Sequence, residues 1–254
     1  MKVDRGDVQV RGGTENTVVV RVTREVTRAN ASTAAQLIQE HRIAIEQNGS
    51  DISVTAHTPA MLKGGSLWGI LTRPNLEVTY EITVPEQFLG DLETSGGNVD
   101  VSDLRGRLRI ETMGGNLDIA NINGDVNGKT MGGNIHAAQC AGKLQIETMG
   151  GNLRIEQFSG PSVHGSTSGG NVTAEFASAP TADCELHTSG GSVKAALPPS
   201  AHITLDAETA GGSVRSDLPV QGTHHDSQLY GTVNGGGPTV KLRTLGGDIK
   251  ITQQ

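Results

Sequence analysis

Apolar and polar residues alternate through short runs along most of this chain, and the runs recur. In Arg107-Leu108-Arg109-Ile110-Glu111-Thr112, the residues Leu108, Ile110 and Thr112 share one side. In Asn116-Leu117-Asp118-Ile119, Leu117 and Ile119 do the same. A period of two describes a strand with one buried face. Between such runs lies the phrase Thr-x-Gly-Gly-Asn-apolar, at residues 94–99, 112–117, 130–135, 148–153 and 167–172. Looser copies follow at 188–193, 209–214 and 244–249. The leading glycines stand 18, 18, 18, 19, 21, 21 and 35 residues apart, which signals a repeat architecture. A unit this short has no room for a strand–helix–strand crossover. It predicts a coil of strands and turns that stacks on its neighbour: an all-β, single-chain parallel β-solenoid, or β-helix.

Stacking in register predicts files of like residues down the axis. One file reads Asn98, Asn116, Asn134, Asn152, Asn171, Ser192, Ser213, Asp248 in chain order; another reads Thr94, Thr112, Thr130, Thr148, Thr167, Thr188, Thr209, Thr244. Asparagine side chains are expected to hydrogen-bond to one another along the axis, and threonine hydroxyls likewise. The glycine pairs are expected to supply positive φ at sharp corners. Glu111, Lys129 and Glu147 form an outward column of alternating sign.

The first part of the chain reads differently. Val8 and Val10 imitate the strand after each glycine pair and predict an early rung. The β-branched run 17–23 predicts a strand. Asn30 or Ser32 is placed to cap a helix ending near Glu40, and Asn48-Gly49 predicts a hairpin between alternating runs. Residues 76–84 alternate strictly up to Pro85. The division expected is a helix-plus-hairpin cap over residues 1–85 and a solenoid over 86–254, the two forming one continuous domain. Residues 59–74 are expected to form a loop with the chain's only tryptophan, Trp68, which either folds over the cap or meets a partner or a membrane surface. A larger insertion spans 219–238.

Composition narrows the function. Aromatic residues are 2% of the chain, so the core is aliphatic and there is no stacking platform for bases. The net charge of −7, without a basic cluster, argues against nucleic acid. Cys140 and Cys184 fall at different angles around the axis, too far apart for a disulfide, and Cys184 reads as a core filler in a Leu/Val column. No transmembrane run and no secretory signal is visible. An extracytoplasmic location, periplasmic or cell-surface, therefore requires that an export signal has been removed.

The cap, the strand ending in Val84-Pro85, the T-x-G-G-N coils and the closing Asn234-Gly235-Gly236-Gly237-Pro238 resemble the bacterial putative-adhesin domains of unknown function built of β-strand repeats. The resemblance covers nearly the whole chain. It implies a place outside the cytoplasm and adds little mechanism.

Candidate chemistry is sparse. Asp100 and Asp118 share an outward column at a spacing that suits retaining glycoside hydrolysis, yet open solenoid faces carry many such pairs. His224-His225-Asp226 reads as a solvated loop, so no metal and no cofactor is expected. Met113, Met131 and Met149 form an outward column beside the corner, suited to contact with another chain. The expectation is a non-catalytic, adhesin-like binding or scaffold protein of the bacterial cell envelope. Its partner is a protein or glycan, or a further copy of the chain, through Met113, Met131, Met149 and Trp68. A carbohydrate-active enzyme or a self-assembling structural protein is the alternative.

Overall fold

The structure, a computed structural model, describes residues 1–59 and 74–254. The described residues form two long sheets and one helix. The chain opens with β1 (Lys2–Val3), β2 (Asp7–Gly13) and β3 (Val19–Thr27). The helix α1 (Ala31–Glu40), β4 (Arg42–Asn48), β5 (Asp51–His57) and β6 (Asn75–Pro85) follow. Paired strands then make the coils: β7 (Gly90–Thr94) with β8 (Val99–Arg105), and β9 (Leu108–Thr112) with β10 (Leu117–Asn123). Next come β11 (Val126–Thr130) with β12 (Ile135–Cys140), and β13 (Leu144–Thr148) with β14 (Leu153–Phe158). After them stand β15 (Val163–Thr167) with β16 (Val172–Phe176), and β17 (Cys184–Thr188) with β18 (Val193–Leu197). The chain closes with β19 (Ile203–Thr209), β20 (Val214–Ser216), β21 (Gln221–His225), β22 (Gln228–Val233), β23 (Thr239–Thr244) and β24 (Ile249–Gln253).

From β7 to β18 the architecture is the parallel solenoid that the alternation predicts. Odd-numbered strands stack in one sheet and even-numbered strands in the other, with Leu108, Val126 and Leu144 in direct register. Inward residues such as Ile110, Leu117 and Ile119 are buried, each worth roughly 1.5–3 kcal/mol of burial. Cys184 fills the core opposite Val240, as its column predicts. Both thiols are free and buried, and burial pushes each up to about 11. Phe158 and Phe176 pack edge to face, 5.8 Å between centroids.

The cap also follows the pattern. Asn30 caps α1, its side chain accepting from the Thr33 N–H at 2.8 Å. Hairpin β4–β5 forms where Asn48-Gly49 predicts one, one residue along: Asn48 pairs with Asp51 and the turn is Gly49-Ser50; β6 pairs antiparallel with β3. The early rung at Val8 and Val10 is β2, lying parallel between β6 and β8.

Chain order and stacking order part at the far end. The sequence suggests that the coils queue as they are numbered. Instead β23 lies between β17 and β19, and β24 lies between β18 and β20. The asparagine file therefore ends Ser192, Asp248, Ser213. The insertion after β20 explains the detour: it forms the hairpin β21–β22, whose second strand covers β19 antiparallel. The chain then returns to the vacant slot. Pinning contacts hold it there, with Thr239 N–H on Asp183 Oδ1 at 2.8 Å and Arg243 Nη2 on Asp206 Oδ2 at 2.6 Å.

One corner expectation is also corrected. Among the paired glycines only Gly97 has φ in the left-handed range, so the pairs are not there for positive φ. The second glycine of each pair is needed for close approach. A Cβ on Gly115, Gly133 or Gly151 would sit 1.8–2.0 Å from the carbonyl oxygen of the glycine one rung below. The first glycine of the early coils faces open space, with nothing within 4 Å of a Cβ at Gly96 or Gly114, while in the last coils it is more crowded, 2.9 Å from Leu245 O at Gly211. The asparagine file bonds along the axis as expected, Asn152 Nδ2 donating to Asn134 Oδ1 at 3.2 Å, and it also serves the backbone: Asn98 Oδ1 accepts the N–H of Asn116, Asn116 that of Asn134, and Asn134 that of Asn152, at 2.8–3.0 Å.

Candidate functional site

The corner geometry creates a surface feature. Each threonine at the end of β9, β11 and β13 turns inward and is buried. Its hydroxyl donates to the second glycine's carbonyl in the rung below, as Thr130 does to Gly115 O at 2.8 Å. It accepts from the second glycine of its own rung, as from Gly133 N–H at 3.3 Å. With threonine locked inward, alternation sends the next residue outward. The residues in that place are Met113, Met131 and Met149, exposed by 50%, 50% and 59%. The glycines that follow have no side chain to cover them.

The three methionines stand one per rung, about 4.8 Å apart along the stack. With Glu93, Glu111, Lys129 and Glu147 at its rim, the column lines a shallow groove of about 350 Å³. Lys129 and Glu147 pair at 3.2 Å, leaving the rim partly neutralised. The floor is soft and apolar because thioethers adapt to irregular partners. The stripe has definite ends: the equivalent residue is Ser95 on one flank and Ser168 on the other. The structure thus brings Met113, Met131 and Met149 together as the column spacing predicts. Trp68 lies outside the described residues.

The other candidates fare less well. Asp100 and Asp118 are in direct register on adjacent strands. Burial first, then the charges of Asp118 and Asp7, hold the Asp100 carboxyl above the usual carboxylate range. Both aspartates stand on the outward face of a sheet and neither lines the methionine groove. His136 bridges from Asp118 at 3.4 Å to Glu156 at 2.8 Å, so it belongs to an ion-pair chain. His224 hydrogen-bonds to the Val214 carbonyl at 3.1 Å, and His225 sits beside it on the exposed strand β21. Among the described residues, no group of three or more His, Cys, Asp and Glu side chains is placed to hold a metal ion.

A further column escaped the sequence. Asp103, Asn121, Gln139 and Gln157 all have φ between 50° and 60°, one per coil. Glutamine gives no hint of left-handed backbone, so only the 18-residue spacing carries that signal.

The family model described as Toastrack DUF4097 matches residues 2–252. No curated protein matches the chain. The crystal structure of a putative adhesin from Bacteroides fragilis is similar at 15% identity, covering 100% of this chain and 91% of that one, with a TM-score of 0.53. At that identity the likeness speaks for the fold alone. The crystal structure of a putative cell adhesion protein from Clostridium sporogenes is 14% identical and covers 100% of this chain and 92% of that one, at a TM-score of 0.29.

Proposed function

The chain belongs to the Toastrack family, and from that premise we propose that it is a non-catalytic, adhesin-like binding or scaffold protein of the bacterial cell envelope. It works outside the cytoplasm, in the periplasm or at the cell surface, and engages a protein or glycan partner with a rigid solenoid face. The observation that carries this reading is the methionine column, three half-exposed side chains in one file on three successive rungs. A stacked sheet cannot close around a small substrate, but it presents side chains at fixed spacing to an extended partner. The name given to the Bacteroides fragilis neighbour supports the same reading.

The test is retention on an array of envelope glycans and extracellular domains, with wild type and Met131→Glu compared. The variant is expected to lose at least tenfold in affinity for the ligand that wild type retains, with an unchanged melting curve, since position 131 is exposed. Equal retention by both proteins would remove the groove from the reading. Turnover of an arrayed glycan, abolished by Asp118→Asn, would replace a binding role with a catalytic one.

A further inference from the structure

The two outer faces of the rod treat charge differently. On the face of odd-numbered strands, opposite charges meet within the chain. Lys2 pairs with Glu93 at 2.8 Å, Lys129 with Glu147 at 3.2 Å, Lys241 with Glu185 at 3.1 Å and Arg243 with Asp206 at 2.6 Å. On the face of even-numbered strands, charge is segregated along the axis. One outward column reads Asp100, Asp118, His136, Arg154, Thr173, Lys194, Lys250, Arg215 in stacking order. Its middle is neutralised internally: Arg154 and His136 share Glu156, and His136 also reaches Asp118 at 3.4 Å. Its ends are not. Lys194, Lys250 and Arg215 occupy three successive rungs, and among the described residues no ion pair joins any of them to a carboxylate. Asp100 and Asp118 are likewise adjacent and of like sign. Like charges directly opposite one another on neighbouring strands destabilise a sheet. Both ends of this face therefore carry a local cost that something outside the chain can relieve.

We infer that the face of even-numbered strands docks on the same face of a second copy of this chain, with the two rods antiparallel. A two-fold axis lying in the interface, parallel to the strands and passing through β14, reverses the stacking direction and keeps the column facing itself. It sets Asp118 against Lys194 and Asp100 against Lys250, each pair occurring twice by symmetry, and brings Arg154 to its own copy on the axis, where each is already offset by Glu156 of its chain. A single occupant thus meets both charged ends, whereas a polyanion would answer only one of them. The face is flat enough to be approached. The next outward column carries Ser102, Ala120, Ala138 and Ala196, with Glu156 and Glu175 already engaged by Arg154 and Gln157 at 2.8 Å. From β2 to β20 nine strands lie side by side. They span roughly 40 Å by 20 Å at ordinary strand spacing and rise. That is about the 800 Å² per partner of a standard specific interface. The methionine groove lies at the corner of the other face, so the pair would present two grooves at once.

Sedimentation equilibrium of the whole chain tests this. Wild type in low salt should give twice the 26.4 kDa chain mass. The dissociation constant should rise at least tenfold in 0.5 M salt, on the order expected for screened charge pairs. The double variant Lys194→Glu, Lys250→Glu should be monomeric, and so should Asp100→Lys, Asp118→Lys. An equimolar mixture of those two variants should restore the dimer as a heterodimer, which a mere folding defect cannot do. The milder pair Lys194→Gln, Lys250→Gln covers the case in which a charge-reversed chain misfolds, and should weaken association about tenfold. A monomeric wild type at the highest soluble concentration would overturn the inference, as would failure of the charge-reversed mixture to associate. Binding of dextran sulfate through Lys194, Lys250 and Arg215 by a chain that stays monomeric would also overturn it, in favour of a polyanion site.

Discussion

The middle of the rod and its two ends share the same rung but are assembled by different rules. Between β7 and β18 each coil lies on the one before it in the chain. At the ends the outermost positions belong to chain interior, and residues from nearer the termini fill the place beneath. At one end β1 and β2 lie between β5 and β6 on one side and β7 and β8 on the other. At the other, β23 and β24 lie beneath β19 and β20. Antiparallel strands then cover three of the four sheet edges, β4 on β5, β3 on β6 and β22 on β19, while β20 is the outermost described strand of its sheet. A parallel stack exposes unpaired backbone at each open rung, and an antiparallel strand ends the stacking because it offers no matching register. The difference teaches that rung shape is a local property, while rung order depends on which edge must be covered.

The largest expected effect comes from the glycine that lets rungs touch. Gly133→Ala puts a methyl 2.0 Å from Gly115 O, with coils packed on both sides. The rungs must separate, at a cost on the order of 4 kcal/mol or more. Gly132→Ala, one residue earlier, meets nothing closer than 3.9 Å and should be nearly neutral. Gly212→Ala makes a comparable clash, 2.3 Å from Gly247 O, but its coil lies at the edge beyond β24 and can tilt away. Urea unfolding should rank the three Gly133, Gly212, Gly132. Equal losses at Gly133 and Gly212 would show the end coil to be as rigid as the middle.

The buried hydroxyl comes next. Thr148→Val keeps the shape but removes a donor to Gly133 O at 2.8 Å and an acceptor for Gly151 N–H at 3.3 Å. Leaving both backbone groups unpaired should cost roughly 1–3 kcal/mol. At the first coil Thr94 bonds only within its own turn, to Gly96 at 3.2–3.3 Å. Thr94→Val should therefore cost less, and chemical denaturation of the two variants measures the difference.

These cases also mark what could be read from residues alone. The fold was legible because period-two alternation and an 18-residue spacing are local and repeated. The methionine column was legible for the same reason: an inward threonine fixes the next residue outward. The order of the last coils was not. Residues 239–253 match the coil at 184–197 as well as the one at 203–216, and no local preference chooses between neighbours. What chooses is the hairpin β21–β22, which covers β19 and leaves the slot beneath it empty. The role of the second glycine was also hidden, since close approach between rungs and positive φ both call for glycine.

A smaller loss should come from the contacts that hold the returning strand. Arg243 reaches across from β23 to β19, donating to Asp206 Oδ2 and to the Asp206 carbonyl, each at 2.6 Å, with Glu208 at 3.7 Å. Its side chain is 21% exposed, so water screens the pairing only in part. Arg243→Ala should cost about 1 kcal/mol, near the upper end for such pairs. The loss belongs to one junction, because stacked repeats interact mainly with their neighbours. Hydrogen exchange should therefore quicken for amides of β19 and β22 and stay unchanged from β9 to β14. If exchange rises evenly along the whole rod, the last coils and the middle unfold as one unit, and the distinction between them is one of topology without energetic consequence.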